Sequence, residues 1–289
     1  MSVLGIIGGS GVYQIDGLAN VRWQRVDSPF GEPSDQLLFG DLDGQKLVFL
    51  PRHGRGHKIP PSDLNFRANI DAMKRAGVTE IISVSAVGSL KADLAPGTFV
   101  IVDQFIDRTF ARKKSFFGPG LVAHVGLGHP VCGRLGDAVA AAAAETGIAV
   151  TRGGTYLAME GPQFSTKAES ELYRSWGCDV VGMTNMPEAK LAREAEMCYA
   201  TVAMVTDFDC WHPDHDHVSV ETVVKVLLEN ADKARALVRA VAPKLRHGPD
   251  LCPQGCHRAL DNAIITHADA RDAEMVRQLD AVAGRVLNG

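Results

Sequence analysis

The stretch VAMVTDFDCW, residues 202 to 211, runs apolar to Val205 and then ends in two acids one residue apart, Asp207 and Asp209. Charge at the end of a buried run is costly to desolvate, so such a pair either sits in a solvated turn or is held there for a ligand. Other strand ends carry groups suited to an anion. LGIIGGSGVY runs an apolar strand into Gly9, Ser10 and Gly11, where missing Cβ atoms let backbone N–H groups and a hydroxyl approach closely. It matches neither the G-x-G-x-x-G spacing nor the Walker lysine motif, so a plain tight turn remains open. FLPRHGRGHKIPP places Arg52 and His53 directly after a strand, with Gly54 and Gly56 keeping the backbone open. An arginine fork suits phosphate oxygens and a histidine can donate to another, although a basic turn is also an ordinary surface feature. In VSAVGSL the strand is expected to deliver Ser85, Ala86 and Gly88 into a turn, and in VGMTNMPE Thr184 stands just before a helix. Such strand ends are the layout of a ligand crevice.

The elements that would position them alternate. β-Branched runs predict strands at Val3 to Ile7, Leu47 to Leu50, Glu80 to Val84, Phe99 to Val102, Thr151 to Leu157, Val180 to Gly182 and Ala200 to Val205. Helical spacing appears in residues 65–77 and 133–147, each stopped by glycine. Thr166 with Glu169 and Asn185 with Glu188 have capping-box spacing. A long helix is expected from about Ser219 to Val241, then a connection rich in breakers, then a final helix from about Asp272 to Val286. This is α/β architecture, with no visible domain boundary: one domain over 1–289 with an extension from about residue 245.

The chain has 289 residues, is 46% hydrophobic and carries a net charge of -4, so it can bury a substantial core and shows no footprint for nucleic acid or an anionic membrane. A small-molecule partner is the default. The N-terminus lacks basic residues before its short apolar stretch, which predicts a non-exported, cytoplasmic protein, and six spread cysteines fit reduced thiols. WHPDHDHV looks like a metal tract, but its spacing is irregular and a polar lid is the better expectation. Cys252 and Cys256 in CPQGC lack a four-ligand set, so a surface dithiol or strained disulfide is expected, and no metal.

Together IIGGSG, PFGEPSD, RHGRGHKIPPSDLNFRAN, VSAVGSL, DQFIDRT, EGPQFSTKAES, VGMTNMPE and TDFDCW resemble the purine nucleoside phosphorylase family, trimeric type, in order from residue 4 to about residue 230. The resemblance implies a mixed central sheet flanked by helices, a homotrimer or a dimer of trimers, and phosphorolysis of S-methyl-5'-thioadenosine to adenine and 5-methylthioribose 1-phosphate. It implies that Ser10, Arg52, His53, Ser85, Ala86 and Thr184 hold phosphate, and that Met183 lies by the ribose. Phe164 and Ser165 would line the base, Val220 and Val223 would face the methylthio group with His124 of a neighbouring subunit, and Asp207 and Asp209 would read adenine.

Chemistry is consistent with those roles. Adenine leaves easily only if N7 is protonated or hydrogen-bonded, and an apolar strand with a second carboxylate nearby raises the pKa of the acid that would donate. Asp207 is the expected acid. Asp209, two residues on and so on the same face of an extended chain, would accept from the 6-amino group. Phosphate is the nucleophile and its charge stabilises the sugar cation, so no metal or organic cofactor is needed. A 6-oxopurine phosphorylase would need a donor to O6 where Asp209 repels it, and a non-catalytic nucleotide binder would not need Arg52, His53 and both acids together.

Overall fold

The chain's computed structural model describes residues 2–9, 11–213, 220–245 and 252–288, without the side chains of residues 220, 222, 223, 225 and 227. Ser10, the side chains of Val220 and Val223, and the tract from Asp214 to Ser219 therefore lie outside the described residues.

The first half contains β1 (Val3–Gly8), β2 (Ala19–Gln24), β3 (Leu37–Leu42), β4 (Gln45–Pro51), α1 (Phe66–Arg75), β5 (Glu80–Ser89), β6 (Phe99–Val102) and β7 (Gln104–Asp107). There follow α2 (Gly133–Glu145), β8 (Val150–Arg152), β9 (Thr155–Ala158), α3 (Lys167–Ser175), β10 (Val180–Gly182), α4 (Asn185–Glu194), β11 (Cys198–Asp207) and α5 (Val220–Val241). Two short helices, α6 (Ala273–Gln278) and α7 (Asp280–Leu287), come last.

The strands form one mixed sheet in the order β2-β3-β4-β1-β5-β10-β9-β7, and β11 pairs with β5 and β6. The central strands are apolar on both faces because helices cover both. Leu4, Ile6, Ile82, Val202 and Met204 pack with Leu135, Val139, Leu237 and Val238 of α2 and α5. The alternate positions Ile7, Ile81, Ala203 and Val205 pack with Ile70, Met73, Ala189 and Val282 of α1, α4 and α7. Period-two alternation in a strand thus feeds two cores. Among the described residues no helix is long and apolar enough to cross a membrane.

Local rules account for several boundaries. Asn65 caps α1 by accepting from the Ala68 amide, and Thr166 with Glu169 closes the expected capping box on α3. Four expectations are corrected. Strand β5 does not turn after Val84 but continues to Ser89, because β11 pairs with it along that length and β10 with its end. The single strand expected at Thr151 to Leu157 is two strands, split where Gly153 and Gly154 take φ of 94° and 125°. The last helix is two, with Asp272 capping the first and Leu279 between them. Asn185 and Glu188 form no cap, since both side chains are buried in a polar network.

Candidate active site

Parallel strands β4, β1, β5 and β11 carry their C-terminal ends to one edge of the sheet. Arg52 and His53 follow β4 there, Gly8 ends β1, Ser85 and Ala86 lie in β5, and Asp207 ends β11. From the other side β10 pairs antiparallel with β5, Val180 opposite Ser89 and Val181 opposite Gly88. Continuing that register sets Thr184 opposite Ser85, and the two hydroxyls are 3.2 Å apart. The Tyr156 hydroxyl is 3.4 Å from Ser85 Oγ. It reaches in past Gly182, where a Cβ would collide with it. Three hydroxyls near the start of α4 can donate to an anion. The glycine turn after β1 is held from two sides, by the Arg52 amide donating to Gly8 and by Arg235 of α5 donating to the Gly11 carbonyl at 2.7 Å.

Arg52 is 2% exposed and mostly committed within the protein. Its Nε donates to Glu188 Oε2 at 2.8 Å, Nη1 to the Val84 carbonyl at 2.9 Å, and Nη2 to Ser83 Oγ at 2.6 Å. Glu188 Oε1 also accepts from Ser83 at 2.6 Å and from the Tyr199 hydroxyl at 2.8 Å, while Asn185 Nδ2 donates to Ser83 and Tyr199. The carboxylate of Glu188 thus occupies the two-pronged edge expected for phosphate, leaving only the second hydrogen of Nη1, beyond the one given to Val84, available to an anion. Sequence reasoning did not find this partner. One signal was present: Glu188 shares helical spacing with buried Leu191 and Ala192, a charge on an apolar stripe.

Burial lowers the His53 imidazole to about 4, so the ring is neutral. Its Nδ1 is 2.8 Å from the Ile59 carbonyl, which only accepts, so Nδ1 carries the hydrogen and Nε2 is bare. This corrects the expected donor role. His53 can accept a hydrogen bond from a protonated phosphate oxygen, and its ring stacks on His57 at 4.3 Å.

The two acids adjoin Gly88. A bulge between Val205 and Asp207 sets Asp207, rather than Thr206, opposite Gly88, which turns the carboxyl to the site. Asp207 Oδ2 accepts from Thr206 Oγ1 at 2.7 Å and Oδ1 from the Asp209 amide at 2.8 Å. Asp209 does not share a face with Asp207 along an extended chain, as expected from spacing. It has left the strand with φ of 51°, in a turn closed by that same hydrogen bond. Burial raises the pKa of both carboxyls, and each is further raised by a neighbouring carboxylate, Asp209 acting on Asp207 and Glu169 on Asp209. Asp209 is 6% exposed; the Ser170 and Ser165 hydroxyls face its carboxyl and oppose the effect of burial, and its Oδ2 is buried with no close hydrogen-bond partner among the described residues, an acceptor open to a ligand donor. Trp211 secures the turn by donating to the Ser89 carbonyl at 2.7 Å beneath the Arg174 guanidinium.

Ser165 lies beside the acids, its carbonyl accepting from the Cys210 thiol at 3.3 Å, while Phe164 is 44% exposed. Met183 packs against Gly161, where a Cβ would collide with its sulfur. Arg112, also missed from sequence, donates to the carbonyls of Met186 and Glu160 at 2.7 Å and so ties the segments after β9 and β10 together. His124 is exposed, away from this network, with its backbone amide donating to the Ala263 carbonyl.

Residues 3–243 match the model of the Phosphorylase superfamily. An S-methyl-5'-thioadenosine phosphorylase of Rhodospirillum rubrum is 72% identical over 285 residues, covering 99% of this chain and 97% of that protein. A methylthioadenosine phosphorylase sourced from an antarctic soil metagenomic library has a solved structure with a TM-score of 0.92 at 45% identity, covering 97% of this chain and 98% of that one. A Schistosoma mansoni adenosine/methylthioadenosine phosphorylase mutant in complex with methylthioadenosine gives a TM-score of 0.77 at 36% identity, covering 85% and 92%.

Proposed function

Since the chain belongs to the phosphorylase superfamily, we propose that it transfers the 5-methylthioribosyl group of S-methyl-5'-thioadenosine to inorganic phosphate, releasing adenine. The observation that carries this reading is the acid pair at the end of β11, with Asp207 beside Gly88 and the Asp209 Oδ2 buried without a close partner among the described residues. A purine 6-amino group supplies the missing donor, whereas a 6-oxo group would set oxygen against carboxylate.

Asp207, its pKa raised by burial, gives its proton to N7 as the glycosidic bond breaks. Phosphate sits under Ser85, Ala86 and Thr184, with Ser10 in the glycine turn and Nη1 of Arg52 supplying further donors. His53 accepts the hydrogen of the monoprotonated anion and orients it. Attack on the sugar needs positioning and exclusion of water, and neither a metal nor an organic cofactor takes part. Phe164 and Ser165 flank the base, Met183 the ribose, and Val220 and Val223 the methylthio group. Exposed His124 serves a neighbouring subunit in a homotrimer, alone or as a dimer of trimers, in the cytoplasm.

Phosphate-dependent release of base from methylthioadenosine, adenosine and inosine tests the reading in one assay. Adenine release from methylthioadenosine should dominate. Preferred cleavage of inosine, or no dependence on phosphate, would overturn it.

A further inference from the structure

The opposite end of β11 holds a second cluster. Cys132, Cys198, Cys252 and Cys256 are all buried, none is disulfide-bonded, and their Sγ atoms all lie within 4.8 Å of one another. This overturns the surface dithiol or strained disulfide expected for CPQGC, because the fold supplies the two missing thiols from residues distant in sequence. Cys198 and Asp207 are the two ends of β11, about 30 Å apart at roughly 3.3 Å per residue, so the cluster is separate from the active site.

We propose that these four cysteines form a tetrathiolate site for a structural zinc ion. A tetrahedral set with metal–sulfur bonds of about 2.3 Å needs sulfurs about 3.8 Å apart. The Cys132 and Cys252 sulfurs are 3.7 Å apart. The three-residue spacer between Cys252 and Cys256 is within the range of zinc-binding turns. It forms a turn closed by the Gly255 amide donating to the Cys252 carbonyl, with Gly255 at φ of 69°. That turn is docked independently, since Gln254 packs against Gly133 and accepts from the Arg134 amide.

Four thiolates around Zn²⁺ carry a net charge of two minus, and the surroundings oppose it. Cys132 is the N-cap residue of α2, where the helix's unpaired amides favour negative sulfur. Arg134 Nη2, which also pairs with the buried Glu80 carboxylate, donates to Cys198 Sγ at 3.7 Å, so its charge is shared between the two. Binding exchanges the thiol protons for the metal with no change of oxidation state, so no oxidant is involved. A cavity of 350 Å³ lined by Cys198, Cys252, Lys74 and Glu196 offers an entry path.

The site would join the start of α2, the start of β11 and the segment from residue 252. That segment goes on to pair with the strand-like stretch before His124, Ala123 bridging Ile264 and the Ile265 amide donating to Val122. Zinc would therefore anchor the C-terminal part of the chain.

The test uses the full-length chain purified under reducing conditions. Elemental analysis should find one zinc per chain, released as a mercurial titrates the thiols. The metal-stripped chain should bind Co²⁺ with the visible and charge-transfer absorption of a tetrahedral tetrathiolate, and Zn²⁺ should then displace it. Chelation should lower the unfolding midpoint by several degrees. Cys178→Ser, outside the cluster, should keep its zinc, while Cys252→Ser should lose it. Failure of the reduced wild-type chain to bind either Zn²⁺ or Co²⁺, or peptide mapping that finds a disulfide among the four in the freshly isolated protein, would overturn the proposal; the cobalt titration needs no variant to fold.

Discussion

Replacing Arg52 by methionine separates its two roles. Arg52 and Glu188 are each 2% exposed and bonded at 2.8 Å, so Arg52→Met leaves a buried carboxylate without its counter-charge. Breaking one side of such a pair costs about 3–5 kcal/mol, whereas neutralising both sides is often nearly harmless. At about 2 °C per kcal/mol, the low end of the range for a long chain, the unfolding midpoint should drop by roughly 6–10 °C. Adding Glu188→Gln removes the orphaned charge and keeps an acceptor for the Tyr199 and Ser83 hydroxyls. The double variant should recover more than half of the loss. Phosphate saturation should remain weakened in both variants, because Nη1 is gone from each, while nucleoside saturation changes little. Calorimetry and initial rates against phosphate measure the two effects independently. Equal midpoints for the single and double variants would show that Glu188's charge is not what Arg52 compensates, and unchanged phosphate kinetics would remove Arg52 from the anion site.

Asp207→Asn with Asp209→Asn should shift base preference toward 6-oxopurines, since amides can donate to O6; retained preference for adenine in competition assays would sink the roles given to these acids. Gly88→Ala puts a Cβ 2.9 Å from Asp207 Oδ1 and 3.3 Å from Asp209 Cβ, and should lower kcat by roughly 10²-fold through misplacement of the acid, with the fold retained by circular dichroism. Glu194 has its carboxyl raised to about 7 by burial, against opposing hydrogen bonds from the Phe116 amide and Ser115. The folded chain therefore holds this proton more tightly than the unfolded one, so its stabilisation is complete below about 4.5 and is lost as pH rises through about 7. Unfolding midpoints measured across that window should be flatter for Glu194→Gln than for the parent, and identical slopes would count against the assignment.

What could be read along the chain was whatever depends on neighbours in sequence. Apolar periodicity marked most central strands and helices, Thr166 with Glu169 marked a helix start, and the paired acids after an apolar run marked a place where charge is held for a purpose. The segments β2, β3 and β7 were missed: β2 and β7 are exposed or only half-buried, so little apolar pattern records them, and the buried β3 is interrupted by Gly40 and Asp41, which hide it as a strand. Everything that required register or long-range pairing was decided by the tertiary structure. The bulge at Thr206 aims Asp207, the antiparallel approach of β10 brings Thr184 to Ser85, and Glu188 meets Arg52 across 136 positions. Four cysteines gather from three separated segments for the same reason. A one-residue slip in register reverses which face a side chain takes, and a buried charge is stable only where the packed sheet delivers its partner, so neither is written in local composition.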